Sequence, residues 1–107
     1  MMADMTEWTK FQRDDAFVIK ANGEWLMLPP PHDGETYTLK ELQAAVGGWI
    51  QVVPLPKDMR SPFVIGRVFL CDEEGLLKKL PVNLTASLLL GQSVCGPVVG
   101  LPKEMLE

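Results

Sequence analysis

Hydrophobic residues gather in short runs separated by polar turns, and the runs have the length of β-strands. The first two runs are Ala16–Lys20 and Glu24–Leu28, which flank Asn22-Gly23. An Asn-Gly pair tolerates the positive φ angles of a tight turn, so this pattern predicts a β-hairpin. Pro29–Pro31 ends the second strand, because proline has no N–H to donate to a sheet.

Four later runs are also strand-like. The strongest is Phe63–Cys71, in which Gly66 marks a bulge or a close backbone approach. The four predicted strands are Trp49–Val53, Phe63–Cys71, Leu76–Leu80 and Val94–Val99. The turn Asp72–Gly75 joins the second of these to the third as a hairpin, with its acids in solvent. Pro97 favours an edge position or a bulge for the last strand.

Two short helices have recognisable ends. Thr38 and Glu41 form the pattern of a capping box, in which each side chain bonds the other's backbone N–H. The helix that they open runs through Leu42 and Val46, and Gly47-Gly48 follows as a C-terminal stop. A second helix is predicted at Leu84–Leu90, with Asn83 as its N-cap and Gly91 at its end.

The elements predict an α+β fold: a mainly antiparallel sheet of about five to six strands with two short helices packed on one face. The chain has 107 residues, too few for two separate cores. We expect a flexible N-terminal arm over residues 1–15, a single domain over 16–100 and a loose tail over 101–107. Trp25 and Trp49 are expected in the core, whereas Trp8 lies on the arm.

The chain is acidic, with a formal net charge of -4 and a pI near 4.9. A general nucleic-acid binder usually carries a basic face, so direct nucleic-acid binding is not expected. The chain shows neither a secretory leader nor an apolar run long enough for a membrane span, which predicts a cytoplasmic protein. Cys71 and Cys95 lie in hydrophobic surroundings, as buried reduced thiols do, and a disulfide or a reactive thiol is the alternative.

The usual catalytic patterns are missing from the sequence. His32 is the single histidine, and it stands in a proline-bounded loop before Asp33-Gly34. The sequence has no nucleophile elbow, P-loop or dinucleotide fingerprint, and no clustered metal ligands. We therefore expect a protein that is not an enzyme and that uses no cofactor or metal.

Several segments resemble one known family in their order and spacing. They are a capped helix leading into "LQAAVGGWIQVVPL", a strand entering "CDEEGLLKKLPVN", and "LLGQSVCGPVVGL". This pattern resembles the DUF3846 family, small proteins found mostly in bacteriophages and other mobile elements, and in bacteria that host them. The resemblance covers roughly residues 16–100. The chain departs from it at Gln51, where a glutamate is common, and the arm lies outside it.

The resemblance implies a small protein that binds and blocks a host protein or complex, for example a defence factor such as a CRISPR or restriction complex. Trp8 and Phe11 stand at helical spacing on the arm, next to Asp14 and Asp15. A tryptophan among acids suits a protein-docking surface, so these four residues are the predicted partner-binding site. Exposed edge strands could also pair two copies into a homo-oligomer.

An alternative is an oligomeric sponge for a phosphorylated nucleotide. The N-terminus of the second helix, capped by Asn83, offers backbone donors and a partial positive charge to an anion. Lys79 and Arg67 would join Asn83 if the strand register brought them across. An uncharacterised small enzyme is the third hypothesis.

Overall fold

The computed structural model describes residues 15–55, 64 and 66–106. Its strands are β1 (Phe17–Ile19), β2 (Trp25–Met27), β3 (Ile50–Val52), β4 (Arg67–Asp72) and β5 (Val98–Pro102). Its helices are α1 (Leu39–Val46), α2 (Leu84–Leu90) and a 3₁₀ helix (Lys103–Met105). The five strands form one sheet in the order β2-β1-β5-β4-β3, and every neighbouring pair is antiparallel. The predicted α+β class is therefore confirmed.

The first hairpin forms as its turn residues predict. Ile19 pairs with Trp25, and the backbone N–H of Lys20 donates to Glu24 at 2.8 Å. Gly23 has a φ of +92°, the left-handed conformation that glycine adopts without steric cost. Trp25 is buried and its ring lies 5.1 Å from that of Phe17, so its predicted place in the core is confirmed.

The central strand differs from the prediction. β5 pairs with β1 on one side and with β4 on the other, and all five of its residues are buried. The expected edge position of the last strand is therefore wrong, and Leu101 and Pro102, with which the predicted loose tail begins, belong to β5. The strand starts after Pro97, and its one proline is its last residue, Pro102, so the residues before Pro102 keep the N–H groups that a central strand needs.

The helices pack on opposite faces of the sheet, not on one face as predicted. Successive side chains of a strand point to opposite faces. Val98 packs with Ala86 and Leu90 of α2, whereas its neighbour Val99 packs with Leu42 of α1. A strand that is apolar at every position buries both of its faces, which calls for a helix on each side.

The outer strand β3 leaves Trp49 largely in solvent. Trp49 precedes β3 and is 64% exposed, so the expectation of a core tryptophan is wrong. Within the predicted run Trp49–Val53, the strand is Ile50–Val52. Within the described ranges, no helix is long and apolar enough to cross a membrane.

Both helix caps form as the sequence predicts. The backbone N–H of Glu41 donates to Thr38 Oγ1 at 3.1 Å, and the N–H of Thr38 donates to Glu41 Oε1 at 2.8 Å. Gly47 and Gly91 end the helices with positive φ angles of 93° and 71°.

Candidate functional site

Asn83, the centre of the predicted anion site, is a fully buried structural residue. Its amide nitrogen donates to the carbonyl oxygens of Ile19 at 2.8 Å and Gly96 at 2.9 Å. Its Oδ1 accepts from the backbone N–H of Ala86 at 3.0 Å. The side chain therefore ties β1, the segment before β5 and the start of α2 together, and it is closed to solvent.

Arg67 lies at the other end of the central strands. It pairs with Pro102, the last residue of β5, whereas Asn83 contacts Gly96, which comes before the first residue of β5. Its guanidinium is buried, donates to the backbone carbonyl of Asp15 and lies 4.8 Å from the centroid of the Phe17 ring. Arg67 thus secures the start of β1.

Lys79 is exposed and takes no part in either arrangement. Its φ of +57° is the only positive value of a non-glycine residue in the described part of the chain. The structure thus does not bring Arg67, Lys79 and Asn83 together as the predicted anion site. Of the predicted arm site, Asp15 meets Arg67 through its backbone; Trp8, Phe11 and Asp14 lie outside the described residues.

The segment after β4 is a helical turn, and the predicted strand Leu76–Leu80 is wrong. The N–H of Lys78 donates to Glu74 at 2.9 Å, four residues earlier, as in an α-helix. The N–H groups of Leu80 and Lys79 then donate to Gly75 at 3.0 Å and Leu76 at 3.1 Å. These bonds form a Schellman motif with Lys79 at the left-handed position, where glycine is usual.

Asp72 organises this turn. Its side chain is 2% exposed, although the sequence placed it in solvent. Oδ1 accepts from the N–H of Glu74 at 2.8 Å, and Oδ2 accepts from Lys78 Nζ at 2.8 Å. The hydrogen bond from Lys78 lowers the pKa of Asp72, whereas burial opposes this shift. A Cβ on Gly48 would lie 2.9 Å from Asp72 Oδ2, so this glycine leaves room for the ion pair.

The turn forms one wall of a cleft of about 510 Å³ on the α2 face of the sheet. Val53 and Cys71 line it from the sheet, and Leu76 and Leu77 line it from the turn. Leu76 is 83% exposed and Leu77 is 82% exposed. Two adjacent leucines are thus fixed in solvent beside an apolar opening, an arrangement often found at binding surfaces.

The segment after α2 forms the third wall of the cleft. Gln92, Val94 and Cys95 line it, and Gln92 Nε2 donates to the carbonyl oxygen of Pro54 across its edge. Sequence reasoning missed this site, since its walls come from three separate segments. The one available signal was the Leu76-Leu77 pair, which was assigned to a strand.

The two cysteines face the same cleft as free thiols. Burial is the main cause that raises the pKa of Cys71, with smaller contributions from Asp72 and Cys95. Cys71 is therefore held as a thiol at neutral pH, which makes it a poor nucleophile.

His32 and Glu41 contact each other at the start of α1. His32 Nδ1 lies 3.0 Å from Glu41 Oε1, so the histidine meets the capping box of α1. The backbone N–H of Thr38 is the main cause that lowers the pKa of Glu41. Among the described residues, no three His, Cys, Asp or Glu side chains form a group that could hold a metal ion.

The comparison with protein families identifies the chain over most of its length. The family model of DUF3846, a domain of unknown function, matches residues 18–103. The chain belongs to the DUF3846 family. No curated protein and no solved structure matches it. The resemblance seen in the sequence is thus confirmed.

Proposed function

We propose that this DUF3846 protein is a non-enzymatic binding protein that blocks a host protein or complex, and that it binds through the cleft beside Leu76 and Leu77. The exposure of these two leucines is the observation that supports the proposal. A surface turn can be built from polar residues at no cost to the fold, whereas exposed apolar side chains next to a cleft gain free energy when a partner covers them.

The phosphorylated-nucleotide alternative gains no comparable support. The lining of the cleft includes the acids Asp72 and Glu73, and no lysine or arginine among the described residues. A phosphate group would be repelled by Glu73 and would find no cationic donor in that lining. Anti-defence inhibition, for which the mobile-element family provides the context, is the form of blocking that we propose.

A capture experiment with matched leucine variants tests the proposal. Tagged wild-type protein, Leu76→Ser/Leu77→Ser and Leu84→Ser/Leu88→Ser are incubated with lysate of a bacterial host, and captured proteins are quantified by mass spectrometry. Leu84 and Leu88 are also exposed, at 69% and 85%, but they lie on α2 outside the cleft lining. The control variant therefore makes the same two Leu→Ser changes at exposed positions outside the cleft.

We expect at least one host protein to be captured by the wild type and the α2 variant and lost from the cleft variant. Equal capture by all three would contradict the cleft as the binding site. Trp8→Ala, included in the same experiment, tests the arm independently, because loss of the partner from this variant alone would transfer the site to the arm.

A further inference from the structure

The chemistry of the cleft narrows the kind of partner segment that it can hold. We infer that the occupant is a short peptide segment with a large aliphatic or aromatic side chain next to a lysine or arginine. This inference rests on the proposed function, because it names the partner chemistry of the same cleft.

The apolar walls of the cleft favour a large apolar side chain in the partner segment. Val53, Val94, Leu76 and Leu77 approach the cleft from the sheet, the segment after α2 and the turn. The cleft's volume of about 510 Å³ lies within the range of pockets that take a few large side chains or a small ligand. Apolar walls on several sides favour an inserted apolar side chain over a flat polar contact.

The charges that line the cleft favour a lysine or arginine in the partner segment. Asp72 is neutralised by Lys78 at 2.8 Å, so its charge is already compensated. Glu73 lines the cleft, is exposed and makes no ion pair within the described part of the chain. Glu73 therefore gives the rim an uncompensated negative charge, which attracts a cationic side chain and repels an acidic one.

A selection from random peptides tests both preferences together. Linear peptides displayed on phage are selected on the wild-type protein after depletion on Leu76→Ser/Leu77→Ser, so that only peptides that need the two leucines survive. We expect the survivors to share a large apolar residue flanked by lysine or arginine. Synthetic copies should slow the alkylation of Cys95 by a maleimide, because this thiol lines the cleft.

Two adjacent glutamates provide a matched test of the charge. Glu73 lines the cleft and Glu74 does not, although both are exposed. Glu73→Gln should weaken a selected peptide by roughly fivefold, and Glu74→Gln should leave its affinity nearly unchanged. Gln51→Glu adds a carboxylate of similar size to the lining and should strengthen the same peptide.

The outcomes separate this inference from the proposed function. Selected peptides without basic residues, or with affinities insensitive to Glu73→Gln, would overturn the basic preference and leave a peptide-binding cleft intact. A selection that enriches no peptide dependent on Leu76 and Leu77 would overturn the peptide inference. The host-lysate capture tests the proposed function separately. A host protein that binds the cleft through a folded surface, without a linear peptide, would still be captured by the wild type and lost from Leu76→Ser/Leu77→Ser.

Discussion

Asn83 and the Leu76-Leu77 pair lie close together in the sequence and have opposite relations to solvent. Asn83 is polar and fully buried, and its side-chain bonds hold three segments of the fold together. The leucines are apolar, and each residue is more than four fifths exposed. In this part of the molecule the polar residue is buried and serves the fold, whereas the apolar residues lie in solvent, the reverse of the usual distribution.

Replacing Asn83 should have the largest effect on stability. Asn83→Ala removes the cap of α2 and leaves the carbonyls of Ile19 and Gly96 without their buried donor. We expect the free energy of unfolding to fall by about 2–4 kcal/mol, measured by urea denaturation.

The cap of α1 is the control for this change. Thr38→Ala removes a cap without the two extra buried bonds and should cost about 1 kcal/mol. Equal losses in the two variants would mean that the bonds from Asn83 to Ile19 and Gly96 contribute nothing to the free energy of unfolding.

Asp72 should come next, because it links the end of β4 to the turn that carries the leucines. Asp72→Asn keeps the shape of the side chain but removes the negative charge that pairs with Lys78. We expect a loss of about 1–3 kcal/mol in the free energy of unfolding. Glu73→Gln, which removes an exposed charge one residue later, should change it by less than about 0.5 kcal/mol.

The pH dependence of that loss has a defined direction. The pKa of Asp72 is lowered in the folded protein, so its contribution is present above the ordinary aspartate pKa of about 4 and is lost at lower pH. The pKa of Lys78 is raised by the hydrogen bond to Asp72, so its contribution is present below the ordinary lysine pKa of about 10 and is lost as the pH rises through the raised value. The difference between wild type and Asp72→Asn should therefore be greatest between these limits and shrink in acid.

The sequence predicted local features better than their arrangement in space. The Asn22-Gly23 turn and the caps Thr38 and Asn83 were correctly predicted, because each depends on bonds within a few residues. The opposite placement of the helices depends on which residues meet across the sheet. Burial of Asp72 depends on Lys78 and on the space beside Gly48, which a reading along the chain does not bring together.

The candidate site was not predicted from the sequence, for a related reason. Asn83 was a correct helix cap, but the same side chain was already bonded to two distant carbonyls. The leucines were assigned to a strand, since a short apolar run does not by itself distinguish a strand from a helical turn. The cleft appears only when the turn, the sheet and the segment after α2 are placed side by side.

Lys79 offers a smaller test of the turn itself. It occupies the left-handed position of the Schellman motif, where glycine avoids the steric cost of a Cβ. Lys79→Gly should raise the free energy of unfolding by up to about 1 kcal/mol, measured by urea denaturation. An unchanged or lower stability would mean that the lysine side chain makes a favourable contribution that offsets the backbone strain.

The smallest effect on stability is expected for the leucines that should matter most for binding. Leu76 and Leu77 remain largely in solvent after folding, so Leu76→Ser/Leu77→Ser should change the free energy of unfolding by less than about 0.5 kcal/mol. Leu84→Ser/Leu88→Ser should behave in the same way in urea denaturation. A loss above about 1.5 kcal/mol in the cleft variant alone would show that the two leucines support the fold. Their exposure would then have a structural cause, and loss of a partner from that variant would no longer locate the binding site.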